Sequence, residues 1–298
     1  MAKLEIHPFS DDFRDAAAAL LADRHRRHRS AEPLLADVED FAAQIPAEAG
    51  AVATRGGTVV AYVVAKVGEE RAEVGLAGSA AAEPEALRDV YAHLAGDWPS
   101  HHQVLVPASD AALIDPWFRV TFGCQFMTAV REVEALDAVD FGGTIRPSTP
   151  ADLPSVARFD RLLWTHQTAP PSFSGLAVGK TEEFEAEWSD LWVEEEFPFH
   201  RVAELDGRVV GHVLLFDRPR GDLRVPEQNI DLAHVATLED VRGKGVGLAL
   251  TAAAFTWAHE QGYRSMTTDW RSNNLLSSRF WPARGFRPTF LRLYRTVP

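Results

Sequence analysis

Apolar and polar positions along the chain trace one order of elements twice. Leu4-Glu5-Ile6-His7-Pro8 reads as a short strand, and Ser and Asp residues then open a helix-like run over Asp12–Arg26. Thr144-Ile145-Arg146-Pro147 and the run Ala151–Trp164 repeat that order later. Val52–Val63 and Val202–Val213 are both apolar runs interrupted by a two-residue turn containing glycine, which predicts a β-hairpin in each half. Trp117-Phe118 with Gly123, and Phe280-Trp281 with Gly285, then lead each half into a closing strand-like run. Helix, hairpin, strand, helix, strand, short helix and strand in succession predict an α/β fold: a mixed sheet with helices on both faces. The expected domains are 1–140 and 141–298, joined near Asp137–Gly143.

Two segments of the second half add detail. Pro170-Pro171 prevents a helix from running through the connection after Trp164. Beyond it, Thr181–Glu196 sets Phe184, Trp188, Leu191 and Trp192 on one face of an amphipathic helix. Glu182, Glu183, Glu185, Glu187, Asp190 and Glu194 to Glu196 occupy the other face.

Composition narrows the class. In 298 residues, 46% are hydrophobic, enough for ordinary cores. No apolar run reaches the roughly 18 residues that span a bilayer, so no membrane partner is expected. MAKLEIHPFSDDFRD lacks the basic and apolar regions of a leader, which leads to the expectation of a cytoplasmic protein. The single cysteine, Cys124, reads as a small apolar residue. A net charge of −13 argues against nucleic acid and favours a cationic partner through long-range attraction.

The richest stretch is Asp231–Gly262. An apolar strand enters Arg242-Gly243-Lys244-Gly245-Val246-Gly247, and an alanine-rich helix from Gly245 to Gln261 follows. Flexible glycines before a helix N-terminus expose free N–H groups and a partial positive charge, an anion site that Arg242 and Lys244 reinforce. The dinucleotide pattern fails because Leu248 stands where its third glycine belongs. The P-loop pattern fails as well, since Gly179-Lys180-Thr181 has Ser174 in place of the first glycine. A zinc site is not expected: His259-Glu260 is followed by Tyr263 where a second histidine would stand.

The spacing of Arg242, Gly245 and Gly247 between a strand and a helix instead resembles the acetyl-CoA pyrophosphate loop of the GNAT acyltransferase superfamily. The element order of both halves is similar to that fold, so two tandem GNAT-like domains are implied. Motif-level likeness is confined to the second half. In the first, Glu73–Leu76 is expected as the strand and Ala77–Glu85 as the loop, with no Arg or Lys and with Glu83 and Glu85 positioned to repel a phosphate. That half is therefore expected not to bind CoA.

The resemblance implies a set of site residues. Arg242, Gly243, Lys244, Gly245, Val246 and Gly247 would hold the pyrophosphate, and backbone groups of Val235, Ala236 and Thr237 the pantetheine arm. Asn274, with Asn273 as a near alternative, matches the family's CoA-contacting asparagine, and Ser277 and Trp281 follow it. Trp281 stands where the family most often has the tyrosine that protonates the thiolate. An indole N–H is no such acid, which leaves water, Ser277, Ser278 or Tyr294. Asp231 and His234 are the candidate general bases; strict alternation would set them on opposite faces of their strand, and a bulge there, common in the family, would shift that parity. Trp164, His166 and Trp188 would line an amine pocket.

The implied activity is acetyl-CoA-dependent transfer of an acyl group to a primary amine of a small molecule, by direct attack in a ternary complex and without a metal. The protein would act as a monomer or homodimer. Two alternatives stand beside it: a non-catalytic acyl-CoA sensor, and an acetyltransferase like the mycothiol synthases, which are tandem members of the family.

Overall fold

The computed structural model describes residues 2–175, 177–194, 197–218 and 223–298. Its elements run β1 (Leu4–Pro8), α1 (Arg14–Ala31), α2 (Phe41–Gln44), β2 (Gly50–Arg55), β3 (Thr58–Val64), β4 (Lys66–Val67) and β5 (Arg71–Val74). Then come β6 (Ser79–Ala81), α3 (Ala86–Leu94), β7 (His101–Pro107), α4 (Ala111–Arg119), β8 (Gly123–Glu132) and β9 (Thr144–Pro147). The remainder is α5 (Leu153–Thr168), α6 (Thr181–Glu194), β10 (Phe199–Leu205), β11 (Arg208–Phe216), β12 (Asn229–Thr237), α7 (Val246–Glu260), β13 (Ser265–Arg271), α8 (Ser277–Phe280) and β14 (Arg287–Thr296). The chain folds as two compact units. One holds the chain up to Ala129 with residues 223–226 and Arg287–Pro298; the other holds most of the chain from Val130 to Phe286.

In the first unit, β1, β2, β3 and β6 form an antiparallel group and β4, β5, β7, β14 and β8 a mixed one. The C-terminal strand belongs here: Phe290 pairs with Pro107 and Thr296 with His101, antiparallel. Leu293 and Phe290 are fully buried in its two cores. In the second unit the strand order is β13-β12-β11-β10-β9. The segment after Val130 is tied into that unit, with Val133 N–H donating to Arg264 O at 2.9 Å and Leu136 bonding Thr256 Oγ1.

Equivalent hairpins carry equivalent irregularities. Arg55 pairs with Thr58 around Gly56-Gly57, and Leu205 pairs with Arg208 around Asp206-Gly207. All four turn residues have positive φ, between 51° and 82°, the geometry that matches strand twist in a two-residue turn. Each hairpin also has a register shift at the same place, Ala53/Thr54 and Ala203/Glu204.

The expected strand Glu73–Leu76 and loop Ala77–Glu85 are corrected by the fold. Arg71–Val74 is β5, parallel to β7, and Ser79–Ala81 is a separate buried strand, β6, antiparallel to β3. Gly78 explains the break: a Cβ there would lie 2.6 Å from Val64 O, so only glycine lets the chain pass. Small residues that read locally as a loop are drawn into the sheet by tertiary packing.

In the second unit, β10, β11 and β12 carry α5 and α6 on one face, with Val156, Ala157, Phe184, Trp188, Val202 and Leu214 buried between them. α6 is described from Thr181 to Glu194; Glu195 and Glu196 of the expected helix lie outside the described residues. Glu182, Glu183, Glu187 and Asp190 are exposed and Trp188 buried, the division its pattern predicts. α7 buries Leu250, Ala254 and Phe255 completely, the two large side chains contributing about 1.5–3 kcal/mol each. It closes on Gly262, φ 83°, with Gly262 N–H bonding His259 O and Tyr263 N–H bonding Ala258 O, the paired bonds that satisfy a helix's last carbonyls.

Candidate functional site

β12 is held by both neighbours over only part of its length. Its parallel ladder with β13 runs from Asn229–Ser265 to Asp231–Thr267 and ends there. Its antiparallel ladder with β11 continues to Thr237, paired with Gly211. A Cβ on Gly211 would meet Ala236 O at 2.8 Å, so glycine permits that close pairing. Past Asp231 the β13-side edge of β12 therefore opens, and Val235, Ala236 and Thr237 line a cleft of about 430 Å³.

The glycine loop closes one end of this cleft. Leu238 and Val241 anchor it as buried residues. Gly243 and Gly245 then take φ of 79° and 87°, left-handed values that cost other residues about 1–2 kcal/mol. Gly245 caps α7, whose first intrahelical bond runs from Ala249 N–H to Gly245 O at 2.9 Å. The preceding N–H groups have no acceptor within the helix. Arg242, Gly243, Gly245, Val246 and Gly247 line the cleft. Lys244 is exposed and outside that lining. Arg242 Nη1 sits 3.2 Å from Glu239 Oε1, a surface pair worth about 0–1 kcal/mol that a bound anion can displace.

Opposite the loop, α5 supplies Phe159, Leu162, Leu163 and His166. The turn after β13 supplies Asn274 and Ser277. Asn274 Oδ1 accepts from Leu276 N–H at 3.0 Å and Ser277 N–H at 3.3 Å, and His166 Nε2 lies 3.3 Å from it. Asn273 turns away, donating to Ser172 O at 3.1 Å. Trp281 lines the cleft with 6% exposure, edge-on to Phe280 and Phe286. One turn earlier, the buried Ser277 Oγ has no hydrogen-bond partner. Tyr294 is exposed on β14 of the first unit.

Phe159, Leu162 and Leu163 are cleft residues that the sequence pattern does not single out, and Arg284 is the charged one. Its guanidinium sits 4.2 Å from the Phe280 ring centroid. The signal was its place inside Phe280–Phe286, where it read as a spacer. With Arg242 it gives the cleft two cations. An elongated ligand with an anionic group at the α7 end and an apolar middle fits this lining.

The remaining candidates lie elsewhere. Asp231 is buried, accepting from Thr267 Oγ1 at 2.7 Å and paired with Arg218 at 2.8 Å. A bulge changes the expected alternation of β12: Leu214 pairs with His234 but Leu215 with Leu232, which leaves Ala233 extra. By register this returns Asp231 and His234 to one face, the face covered by α5 and α6. Trp188 is 3% exposed, its Nε1 donating to Asp160 Oδ2 at 3.1 Å, and Trp164 packs edge-on against Phe184. Of the three expected pocket residues, only His166 lines the cleft.

The first unit has the same parting of strands, with β5 paired to β7 and β6 to β3. Arg24 of α1 fills it. Its guanidinium is fully buried and donates to Leu76 O and Ser79 O on either side of the break. Burial lowers its pKa. Glu83 is neutralised by Arg55 at 2.8 Å, and Glu85 by Arg88 and Arg119. Among the described residues no group of three or more His, Cys, Asp or Glu is placed to hold a metal, and no helix is long and apolar enough to cross a membrane.

Comparison with known proteins agrees with this geometry. Residues 161–286 match the model of the acetyltransferase (GNAT) family. A GCN5-related N-acetyltransferase from Sphaerobacter thermophilus superposes with a TM-score of 0.59 at 14% identity, over 99% of this chain and 96% of that one. A GNAT-family acetyltransferase from Colwellia psychrerythraea gives 0.51 at 12%, over 99% and 100%. A glucosamine N-acetyltransferase region in a fungal multi-domain protein gives 0.53 at 14%, over 99% of this chain but 38% of that one. At these identities the likeness is one of fold. No curated protein matches the chain in sequence. Residues 161–286, which carry the glycine loop and the opened strand pair, are thus similar to the acetyltransferase (GNAT) family.

Proposed function

We propose that the second unit binds acetyl-CoA in the cleft and transfers its acyl group to a primary amine of a small molecule in a ternary complex. The observation that carries this is the opening of β12 away from β13 directly ahead of the glycine loop. The donor set fits the ligand. Free N–H groups at the start of α7, with Arg242 and Arg284, suit a pyrophosphate. The open edge of Val235–Thr237 suits an amide-bearing pantetheine arm, and Leu162, Leu163 and Phe280 give it apolar walls.

Transfer then needs the amine deprotonated and the thiolate stabilised. Asp231 is committed to Arg218 and Thr267, so His234 is the base this reading favours. Ser277 Oγ, without a partner and one turn before Trp281, is the hydroxyl that would donate a hydrogen bond to the departing sulfur. A thiol's ordinary pKa of about 8.5 makes solvent adequate to complete its protonation. The first unit does not take part in CoA binding in this reading, because Arg24 occupies its gap.

Trp281 favours a second reading, an acyl-CoA sensor without turnover. Thiol release from acetyl-CoA over a broad panel of small amines separates the two. Release that depends on one class of amine supports transfer. Tight CoA binding with no release on any amine supports the sensor.

A further inference from the structure

Under α5 and α6 the second unit buries a row of three imidazoles. They come from adjacent strands: His200 from β10, His212 from β11 and His234 from β12. Leu214 pairs with both His200 and His234, and Ala236 with His212, so the three side chains share one face. His200 Nε2 lies 3.2 Å from His212 Nδ1, and the His212 and His234 ring centroids are 6.1 Å apart. Trp188 packs against all three rings at 5.7–6.2 Å.

Packing alone does not call for this arrangement. His212 is completely buried and His200 is 4% exposed, yet His212 Nε2 and His200 Nδ1 have no hydrogen-bond partner. Asp160 Oδ1 is also buried and unpartnered, while its other oxygen accepts from Trp188 Nε1. Unsatisfied polar atoms gathered around one tryptophan call for a mobile proton or a transient polar guest. The three rings do not converge as metal ligands would. Two links lead to the cleft. Phe159 stacks flat on His212, at 5.3 Å and 10°, and also lines the cleft. His234, half-buried, immediately precedes the cleft residue Val235.

We infer that His234, His212 and His200 form a proton row beside the cleft, in which His234 takes the proton shed by the acceptor ammonium and the two buried rings share it. This rests on the acyl-transfer reading above. One N–H bond of the ammonium breaks toward a His234 nitrogen, and the freed lone pair forms the bond to the thioester carbonyl carbon. The C–S bond then breaks with its electron pair on sulfur. Of the two protons the nitrogen loses overall, one ends on sulfur and the other, held by the row, leaves to solvent from the half-buried His234. Burial holds His200 at about 4 and His212 well below the usual imidazole value, so both begin neutral. Charges facing the row are Asp152 and Asp160 of the α5 region, Arg201 of β10, and Asp231 paired with Arg218. The α6 carboxylates Glu182, Glu183, Glu187 and Asp190 are exposed to solvent.

The test uses the full chain in two arms. Thiol release is measured with putrescine, glucosamine and alanylalanine as probe amines, in wild type, His234→Gln and His212→Asn. Where a probe turns over, His234→Gln should lower the rate about 100-fold with unchanged CoA affinity, and added imidazole should restore part of it. His212→Asn should displace the acid limb of the pH profile. Independently of any acceptor, histidine ring-nitrogen NMR should show the His200 and His212 titrations shifting when His234 becomes Gln. Identical titrations in wild type and His234→Gln overturn the row, as does an undiminished rate. CoA binding by calorimetry reads the proposed function separately: no binding by the wild type defeats that reading, whereas intact binding with independent rings defeats only the row.

Discussion

His166 Nε2 lies 3.3 Å from Asn274 Oδ1, joining two side chains 108 positions apart. The contact ties α5 to the turn after β13, the two walls of the cleft. The same Asn274 oxygen accepts from the N–H groups of Leu276 and Ser277, which leaves the amide nitrogen as the donor offered to a ligand.

Asn274→Ala therefore removes the acceptor of two turn hydrogen bonds and a cleft donor together. Loss of those bonds costs about 1 kcal/mol, visible as a lowered Tm, and acetyl-CoA affinity falls. Asn274→Asp keeps the accepting oxygen but adds a negative charge. It should retain stability and still weaken acetyl-CoA, measured by calorimetry. Unchanged affinity in both variants would remove Asn274 from the ligand site.

Trp281→Tyr places a phenol where the cleft now has an indole. The ring should be accommodated between Phe280 and Phe286. If this position serves the sulfur, the pH dependence of thiol release changes on its alkaline side. An identical profile would show that the leaving group is served elsewhere.

Arg24→Met tests the filled gap of the first unit. Removing the guanidinium leaves Leu76 O and Ser79 O without their donor, about 1–3 kcal/mol for each buried group. Thermal unfolding should show a clear fall in Tm. An unchanged Tm would mean that the buried cation does not hold the broken strand together.

Acid should weaken the fold in a defined window. His200 and His28 have folded values of about 4 and about 3, each lowered first by burial from 6.5. Between those values and 6.5 the unfolded chain binds more protons than the folded one, so stability rises with pH there. The contribution is present above about 6.5 and is lost as pH falls toward 4 and then 3. Denaturant unfolding at a series of pH values should show this slope, and His200→Gln should reduce it. Stability flat from pH 7 to pH 4.5 would contradict it.

The repeat was legible because its signals are local. Gly56-Gly57 and Asp206-Gly207 announce their turns by residue type, and Gly245 announces a left-handed cap before a long apolar helix. Ser79–Ala81 was not legible, since three small residues become a strand only when β3 is beside them. The resemblance allowed for a bulge in β12, but its place at Ala233 could not be read, because pairing with β11 creates it. Trp188 sits at helical spacing that fits both a core and a pocket, and burial decides for the core. The imidazole row needed three strands in register before His200, His212 and His234 could be seen as one feature. The charges expected to spoil the first loop, Glu83 and Glu85, prove to be paired, and Arg24, from a distant helix, fills the gap instead.

In the proposed function the second unit alone holds acetyl-CoA, at the loop capped by Gly245. Calorimetric titration of the full chain tests it most directly, comparing wild type with Gly245→Val, where a β-branched residue is forced to a φ of 87°. One acetyl-CoA should bind per wild-type chain and none to the variant, with the fold intact by circular dichroism. Two molecules per chain, or equal binding by Gly245→Val, would contradict it.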